Sequence, residues 1–472
     1  MSENPIIFDS QTRSLGGTEQ NWCKAVAGGT GITALALQVS KEPNIPLFKK
    51  SLQKIQNDHP SLNSVLHKNA SNGSPSFIIN PPIPSIRLNI MTMSKTSELL
   101  RTLMSRGSNN SLSPLHLILE HELNINEWSD ITGRSLCMGG LPLWFANAYT
   151  LPDRKWVLVL RLHAGICDRT TAVSFLKELK EAMGEKEGGY KEKGNMGIEE
   201  LIPSGKTKKT LWSHGKDMMA YSLNSLRLTN LKFKDVKSPR HSEVVRLKMN
   251  TQETHMLLTG CKLRGIKLCG VLAAAILLAA YSSKRHSSNN HGKKYGVIFL
   301  NDCRSYLQPS LSIHEFGFYH SAILTSHEVK GDEILWNLAT MIYMAFVNSK
   351  NNNKHFSDMA DLNFLMSKAI DNPSLTPSSS LRTSLVSIFE DPVIETSSDA
   401  ERELGLDDYI GCASAHGVGP SIAIFDTVRD GQLDCACVYP APLHSREQMQ
   451  ELIANMKFNL LESFKMEEKL ET

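Results

Sequence analysis

The chain has 472 residues, 41% hydrophobic and 21% charged, with 51 basic against 48 acidic side chains and a net charge of +3. That apolar content excludes wholesale disorder, and the length exceeds one ordinary core and implies about two domains. The balanced charge supplies no global field for nucleic acid or an anionic membrane, so a small, specific ligand is the expected partner.

The N-terminal stretch MSENPIIFDSQTRSLGG lacks a basic region followed by an apolar run, so no secretory signal is predicted and a cytoplasmic location is expected. The glycine-rich AGGTGI at 27–32 lacks the lysine and hydroxyl of a phosphate loop and predicts a turn or sheet edge. Segment 48–66 carries apolar residues at helical intervals through Ile55, and His59-Pro60 ends the helix because proline cannot continue it. A strand should follow. Runs 144–150 and 156–162, separated by Leu-Pro-Asp-Arg-Lys, predict a hairpin. After Asp168 the apolar positions Val173, Leu176 and Leu179 repeat with helical period, which places HAGICD on a strand-to-helix loop, where functional groups are commonly displayed.

From Gly184 to about Lys237 the composition turns to Gly, Lys, Glu and Ser, the pattern of a linker, with a helix predicted inside it over 211–228. The apolar run 268–281 is too short to cross a bilayer and predicts a buried helix. Polar segment 282–294 predicts a solvated loop before a strand at 295–300, and 372–383 predicts an exposed loop able to rim a site. Nine scattered cysteines without a CxxC pair predict reduced thiols, with Cys435 and Cys437 on one strand face. His286 and His291 have no acidic or cysteine companions, so no metal site is expected. There is no GxSxG elbow and no HExxH, so neither hydrolase nor zinc-protease chemistry is supported.

Five segments carry a family resemblance, in order along the chain: LGGTEQNW at 15–22, Asp58-His59-Pro60-Ser61-Leu62, LHAGICDRTTAVSFLKEL at 162–179, GVLAAAILLAA at 270–280, and NDCRSYLQPSLSIHEFGFYHSAI at 301–323. They resemble the superfamily of chloramphenicol acetyltransferase, the condensation domains of nonribosomal peptide synthetases, and the plant BAHD acyltransferases. The resemblance implies an α/β fold of two similar domains, each with a mixed sheet and flanking helices, facing each other across a tunnel. The expected units are 1–200 with the HAGICD motif, a crossover linker at 201–237, and 238–472. It further implies a monomer that moves an acyl group from a coenzyme A thioester to a hydroxyl or amine of a small specialised metabolite. No bound cofactor and no nucleic-acid or membrane partner are expected.

Such transfer needs a base, and an imidazole titrating near neutrality suits the task. In the family the second histidine of HHxxxDG supplies it; the matching position here is Ala164, which cannot move a proton. His163 matches the first histidine. A one-residue shift along a strand turns a side chain to the opposite face, so His163 serves as base only if a loop or bulge redirects it, and otherwise is an ordinary buried histidine. His320 in GFYHSAI is a second candidate base; His416, where related members carry a DFGWG-like loop, is a weaker one. The resemblance makes Asp168 structural, paired with Arg304 of NDCR. Ala164, Gly165, Arg169 and His416 are candidate substrate-lining positions. Arg169 stands where the family has glycine, and narrows the tunnel, supplies a cation to an acidic ligand or, the favoured reading, points to solvent. Three functions stay open: transfer with a substituted base, transfer by positioning alone, or a silent relative that binds a metabolite or protein partner.

Overall fold

The computed structural model describes residues 11–471 except 69–72, 82–85, 87, 106–111, 131–139, 185–195, 208–227 and 284–291. The predicted helix at 211–228, Cys137, His286 and His291 therefore lie wholly or almost wholly outside the described residues.

The described chain is a mixed α/β structure with three sheets. One, of five strands, runs in the order Leu406–Ala415, Thr30–Val39, Trp156–His163, Trp144–Thr150, Leu88–Met91. The second half of the chain completes it: Ala413 pairs with Thr33, and Leu406 with Val39. A seven-stranded sheet follows the order His320–Val329, Lys293–Asp302, Arg382–Phe389, Gly419–Arg429, Gln432–Ala441, His241–Met249, with Val393–Glu395 beside Gly419–Arg429. A small four-stranded sheet joins Gln11–Ser14, Pro75–Ile79, Ser64–Lys68 and Leu141–Pro142.

The strand Trp156–His163 lies between two partners, and every residue from Val157 onward is buried, which is why its sequence is almost continuously apolar rather than alternating. Arg161, the one charge in it, is buried against Glu122 at 2.7 Å. The expected hairpin with Trp144–Thr150 is present, and the chain turns through Arg154 with φ of 64°. The helix Ile45–Asp58 ends at His59, as proline at 60 demands, and the strand Ser64–Lys68 follows.

The apolar run of the second half forms the helix Leu268–Ser282, the centre of the core under the seven-stranded sheet. It packs on the helices Leu335–Asn351 and Arg446–Glu471. Small residues set that distance: a Cβ on Gly270 would meet the Tyr343 Cβ at 2.8 Å. Among the described residues no single helix is long and apolar enough to cross a membrane. The eight described cysteines are free and buried.

Candidate functional site

The motif strand ends at His163, and the chain then makes a single tight turn, Ala164–Ile166, before the helix Arg169–Met183. Asp168 caps that helix, its Oδ1 accepting from the Thr171 N–H at 2.8 Å. The same carboxylate receives Arg304 twice, Nη1 to Oδ2 at 2.9 Å and Nη2 to Oδ1 at 3.1 Å, and the Tyr319 N–H at 2.8 Å. His320 Nδ1 lies 3.0 Å from Oδ2. Burial alone would push the Asp168 pKa up, but Arg304 and His320 outweigh it and hold the carboxyl well below its usual range. The Asp168–Arg304 pair implied by the resemblance is thus present, and it joins the motif loop to the segment that follows Lys293–Asp302.

Between the five- and seven-stranded sheets is a cavity of about 550 Å³ with mostly apolar walls. Ala164, Cys167, Asp168, Arg169 and His320 line it. His320 is the one histidine on that wall among the described residues, 6% exposed, with its ring edge-on to Phe389. Its Nδ1 is the ring nitrogen nearest Asp168, 3.0 Å from Oδ2. Cys167 is no nucleophile, since burial drives its thiol pKa far up.

Three positions differ from what the sequence suggested, and His163 takes the second of its two readings, the ordinary buried histidine. His163 is not turned into the cavity. Its ring is fully buried, edge-on to Trp128 at 5.2 Å, and its Nδ1 accepts the Gly165 N–H at 2.9 Å. Burial lowers its pKa to about 3, so it is neutral at ordinary pH yet without a path to a substrate. Gly165 does not line the cavity either; a Cβ there would come 2.9 Å from His163 Nδ1, so glycine serves the tight turn. Arg169 does not point to solvent. Its Nη1 donates to Asp426 Oδ1 at 2.9 Å, its Nη2 to the Asp426 carbonyl, and its guanidinium lies 4.4 Å over the Phe389 ring. It ties the motif helix to the seven-stranded sheet along one wall of the cavity. His416 is off the cavity wall, bonded to Ser242 Oγ at 3.0 Å and packed on Gly29, with burial, His241, Arg382 and Arg240 lowering its pKa to about 4.

The sequence also concealed wall residues. Gly31, in the stretch assigned to a turn or edge, is the second residue of the strand Thr30–Val39, with φ of 94°, and lines the cavity directly beside the motif. A Cβ there would sit 2.8 Å from the Trp22 ring and 2.9 Å from the Ala164 Cβ. Both the dihedral and the space require glycine. Loop 372–383 does rim the cavity, through Ser374 to Pro377 and Arg382.

No protein-family model and no curated protein sequence matches the chain. Solved structures do. The trichothecene 15-O-acetyltransferase from Fusarium sporotrichioides superposes with a TM-score of 0.66 at 11% identity, over 98% of this chain and 98% of that one. The epimerization domain from the third module of tyrocidine synthetase B gives 0.62 at 13%, over 99% of each chain. The first condensation domain of the calcium-dependent antibiotic synthetase gives 0.62 at 12%, over 97% of each. At such identities the likeness is one of fold, extending over the whole chain.

Proposed function

Taking the two-lobed chloramphenicol-acetyltransferase-like fold as premise, we propose that this protein is an acyltransferase that moves an acyl group from a coenzyme A thioester to a hydroxyl or amine of a small, largely apolar metabolite held in the interlobe cavity. The observation that carries the reading is the Asp168–His320 pair on the cavity wall. In the proposed mechanism the ring carries its proton on Nδ1, 3.0 Å from the Asp168 carboxylate, and Nε2 is the acceptor. The acceptor's O–H or N–H gives its proton to Nε2 as its oxygen or nitrogen bonds to the thioester carbonyl carbon. Collapse of the tetrahedral intermediate breaks the C–S bond, and the imidazolium returns the proton to the departing thiolate. Asp168 stabilises that imidazolium without itself being protonated, as its depressed pKa requires. Arg304 and the Tyr319 N–H hold the carboxylate in place.

A second reading, a silent relative that binds a metabolite or partner, is favoured by two features of the same wall: Ala164 stands where the family's base would project, and Arg169 ties the motif helix to the seven-stranded sheet along it. The two readings separate in one experiment. The protein is incubated with a panel of acyl-CoA thioesters and a metabolite extract, and free thiol and new acylated masses are followed. Thiol release that His320→Ala abolishes upholds transfer with His320 as base. Release that persists in His320→Ala removes His320 from the role, and ligand retention without any release supports the silent reading.

A further inference from the structure

The strand Arg382–Phe389 runs along the cavity from the His320 region, where Phe389 packs, to a far corner at Arg382, a span of about 23 Å at roughly 3.3 Å per residue. That far corner has an unusual charge balance. Arg382 is 1% exposed and on the cavity wall, yet it has no carboxylate partner among the described residues. Its donors go to carbonyls: Nε to Ser380 at 3.1 Å, Nη1 to Ala415 at 3.0 Å and to Pro420, and Nη2 to Gly417. Carbonyl oxygens satisfy hydrogen bonds but bring no net charge, so the buried cation is uncompensated. The neighbours deepen the imbalance. Arg240, bonded to the Ser380 and Ser379 carbonyls from the other side of the turn, likewise has no carboxylate partner among the described residues. The charged and titratable groups felt at this corner are Arg240, Arg382, His241, His416 and His444, all cationic or neutral, with His241 itself 3.3 Å from Glu243.

Two further observations converge on the same place. The turn that offers its carbonyls to both arginines holds Ser378, Ser379 and Leu381 at φ of 52°, 54° and 58°. Left-handed conformations are unfavourable for such residues and collect where a ligand clamp over-determines the backbone. Thr30, at the start of the strand across the cavity, is 9% exposed and lines it, and its Oγ1 is buried with no hydrogen-bond partner. Thr30 and Arg382 flank Gly419: a Cβ on that glycine would lie 3.9 Å from Arg382 Nη1 and 3.9 Å from Thr30 Cγ2. The Thr30 hydroxyl lies beside Gly417, 3.0 Å from where a Cβ on that glycine would be, and the Gly417 carbonyl accepts from Arg382 Nη2, so a hydroxyl without a partner and a cation without a counter-ion border the same glycine at one end of an apolar cavity.

We infer that this corner is an anion subsite, and that the occupant of the cavity is an apolar molecule bearing a carboxylate or phosphate bound by Arg382 and Thr30. The inference rests on the cavity being the ligand site, the premise of the proposed function, but not on any transfer taking place there. The anion has two sources, a carboxylate on the metabolite or a phosphate of coenzyme A.

The test is direct binding to the full-length protein, by calorimetry, of dodecanoate against dodecan-1-ol and of coenzyme A against pantetheine. At least one anionic probe should bind about ten-fold or more tightly than its neutral counterpart, as a charge-assisted hydrogen bond supplies. Dodecanoate alone showing the preference assigns the anion to the metabolite, coenzyme A alone to the donor, and either upholds the subsite. Thr30→Val, nearly isosteric at a hydroxyl with no partner, should lower the preference about three-fold or more, and Arg382→Met should remove it. Should Arg382→Met fail to fold, Thr30→Val combined with Arg240→Gln takes its place. Equal binding of charged and neutral probes, or a preference that survives these variants, overturns the subsite alone. Binding of none of the four probes overturns the cavity as a ligand site and the proposed function with it.

Discussion

The two faces of the motif loop use histidine in opposite ways. On the rear face His163 is sealed against Trp128, accepts one backbone N–H, and has its pKa lowered to about 3 by burial. On the cavity face the position next to it is only a methyl, and the imidazole that meets the cavity comes from His320, more than 150 residues later, placed against Asp168. Burial without a charged partner makes a histidine a neutral spacer; a buried carboxylate that is itself locked by an arginine makes one a directed acceptor. Under the proposed transfer, the chemical capacity of this loop lies in Asp168 and the His320 ring beside it.

The largest effect that would break this comparison is kinetic. If the cavity face carries the chemistry, His320→Ala should lower transfer by about 10² to 10⁴-fold, the usual contribution of a general base, beyond the roughly 1–2 kcal/mol of stability that truncating a buried ring costs. Measured thiol release within a few-fold of the parent would dissolve the distinction between the faces. Next comes Arg304→Ala, which leaves the Asp168 carboxylate buried with its strongest partner gone and should cost about 3–5 kcal/mol in denaturant unfolding. The sign with pH follows from the depressed Asp168 pKa. Its stabilising contribution exists above the unfolded value of about 4 and is lost as pH falls below it, so the gap between parent and variant should narrow on acidification. A constant gap across that range would show that Arg304 acts by packing alone. Comparable is Arg169→Met, which keeps a stem over Phe389 but leaves the fully buried Asp426 carboxylate without its cation; about 3–5 kcal/mol should be lost here too. A neutral result would mean that the tie between the motif helix and the seven-stranded sheet is incidental.

Much of the fold was legible because its signals are local. The apolar strand before His163, the capping Asp168 and the periodic helix after it are neighbours in sequence, and the helix 268–282 announces its burial by composition. Arg304 could be paired with Asp168 only through the resemblance, since 136 residues separate them. What stayed hidden depends on groups brought together from afar without a pattern. Arg169 was read as a surface residue because its partner Asp426 is 257 positions away, and Arg382 satisfies its donors on backbone carbonyls, which any sequence supplies. Gly31 left a trace in AGGTGI, but only its positive φ beneath Ala164 explains why glycine stands there.

The smallest effect bears most directly on the rear face. His163→Asn keeps a side-chain acceptor for the Gly165 N–H while discarding the ring against Trp128, and should cost about 1–2 kcal/mol, a typical loss for a buried substitution. Transfer should stay within about three-fold of the parent, in contrast to His320→Ala, because no proton passes through a ring sealed from the cavity; three-fold corresponds to well under 1 kcal/mol. The pH dependence provides an independent readout. In the unfolded chain a histidine titrates near 6.5, whereas His163 in the fold titrates at about 3, so between those values the unfolded state binds a proton that the native state refuses. Stability of the parent must fall as pH drops through that window, and His327 and His355, both lowered to about 4 by burial, add to the slope. The Asn variant lacks one of these groups and should lose stability less steeply from pH 6.5 toward 4, so the curves of parent and variant converge with acid. Parallel curves would mean that His163 is already protonated or solvated in the native fold, and the sealed rear face would have to be abandoned.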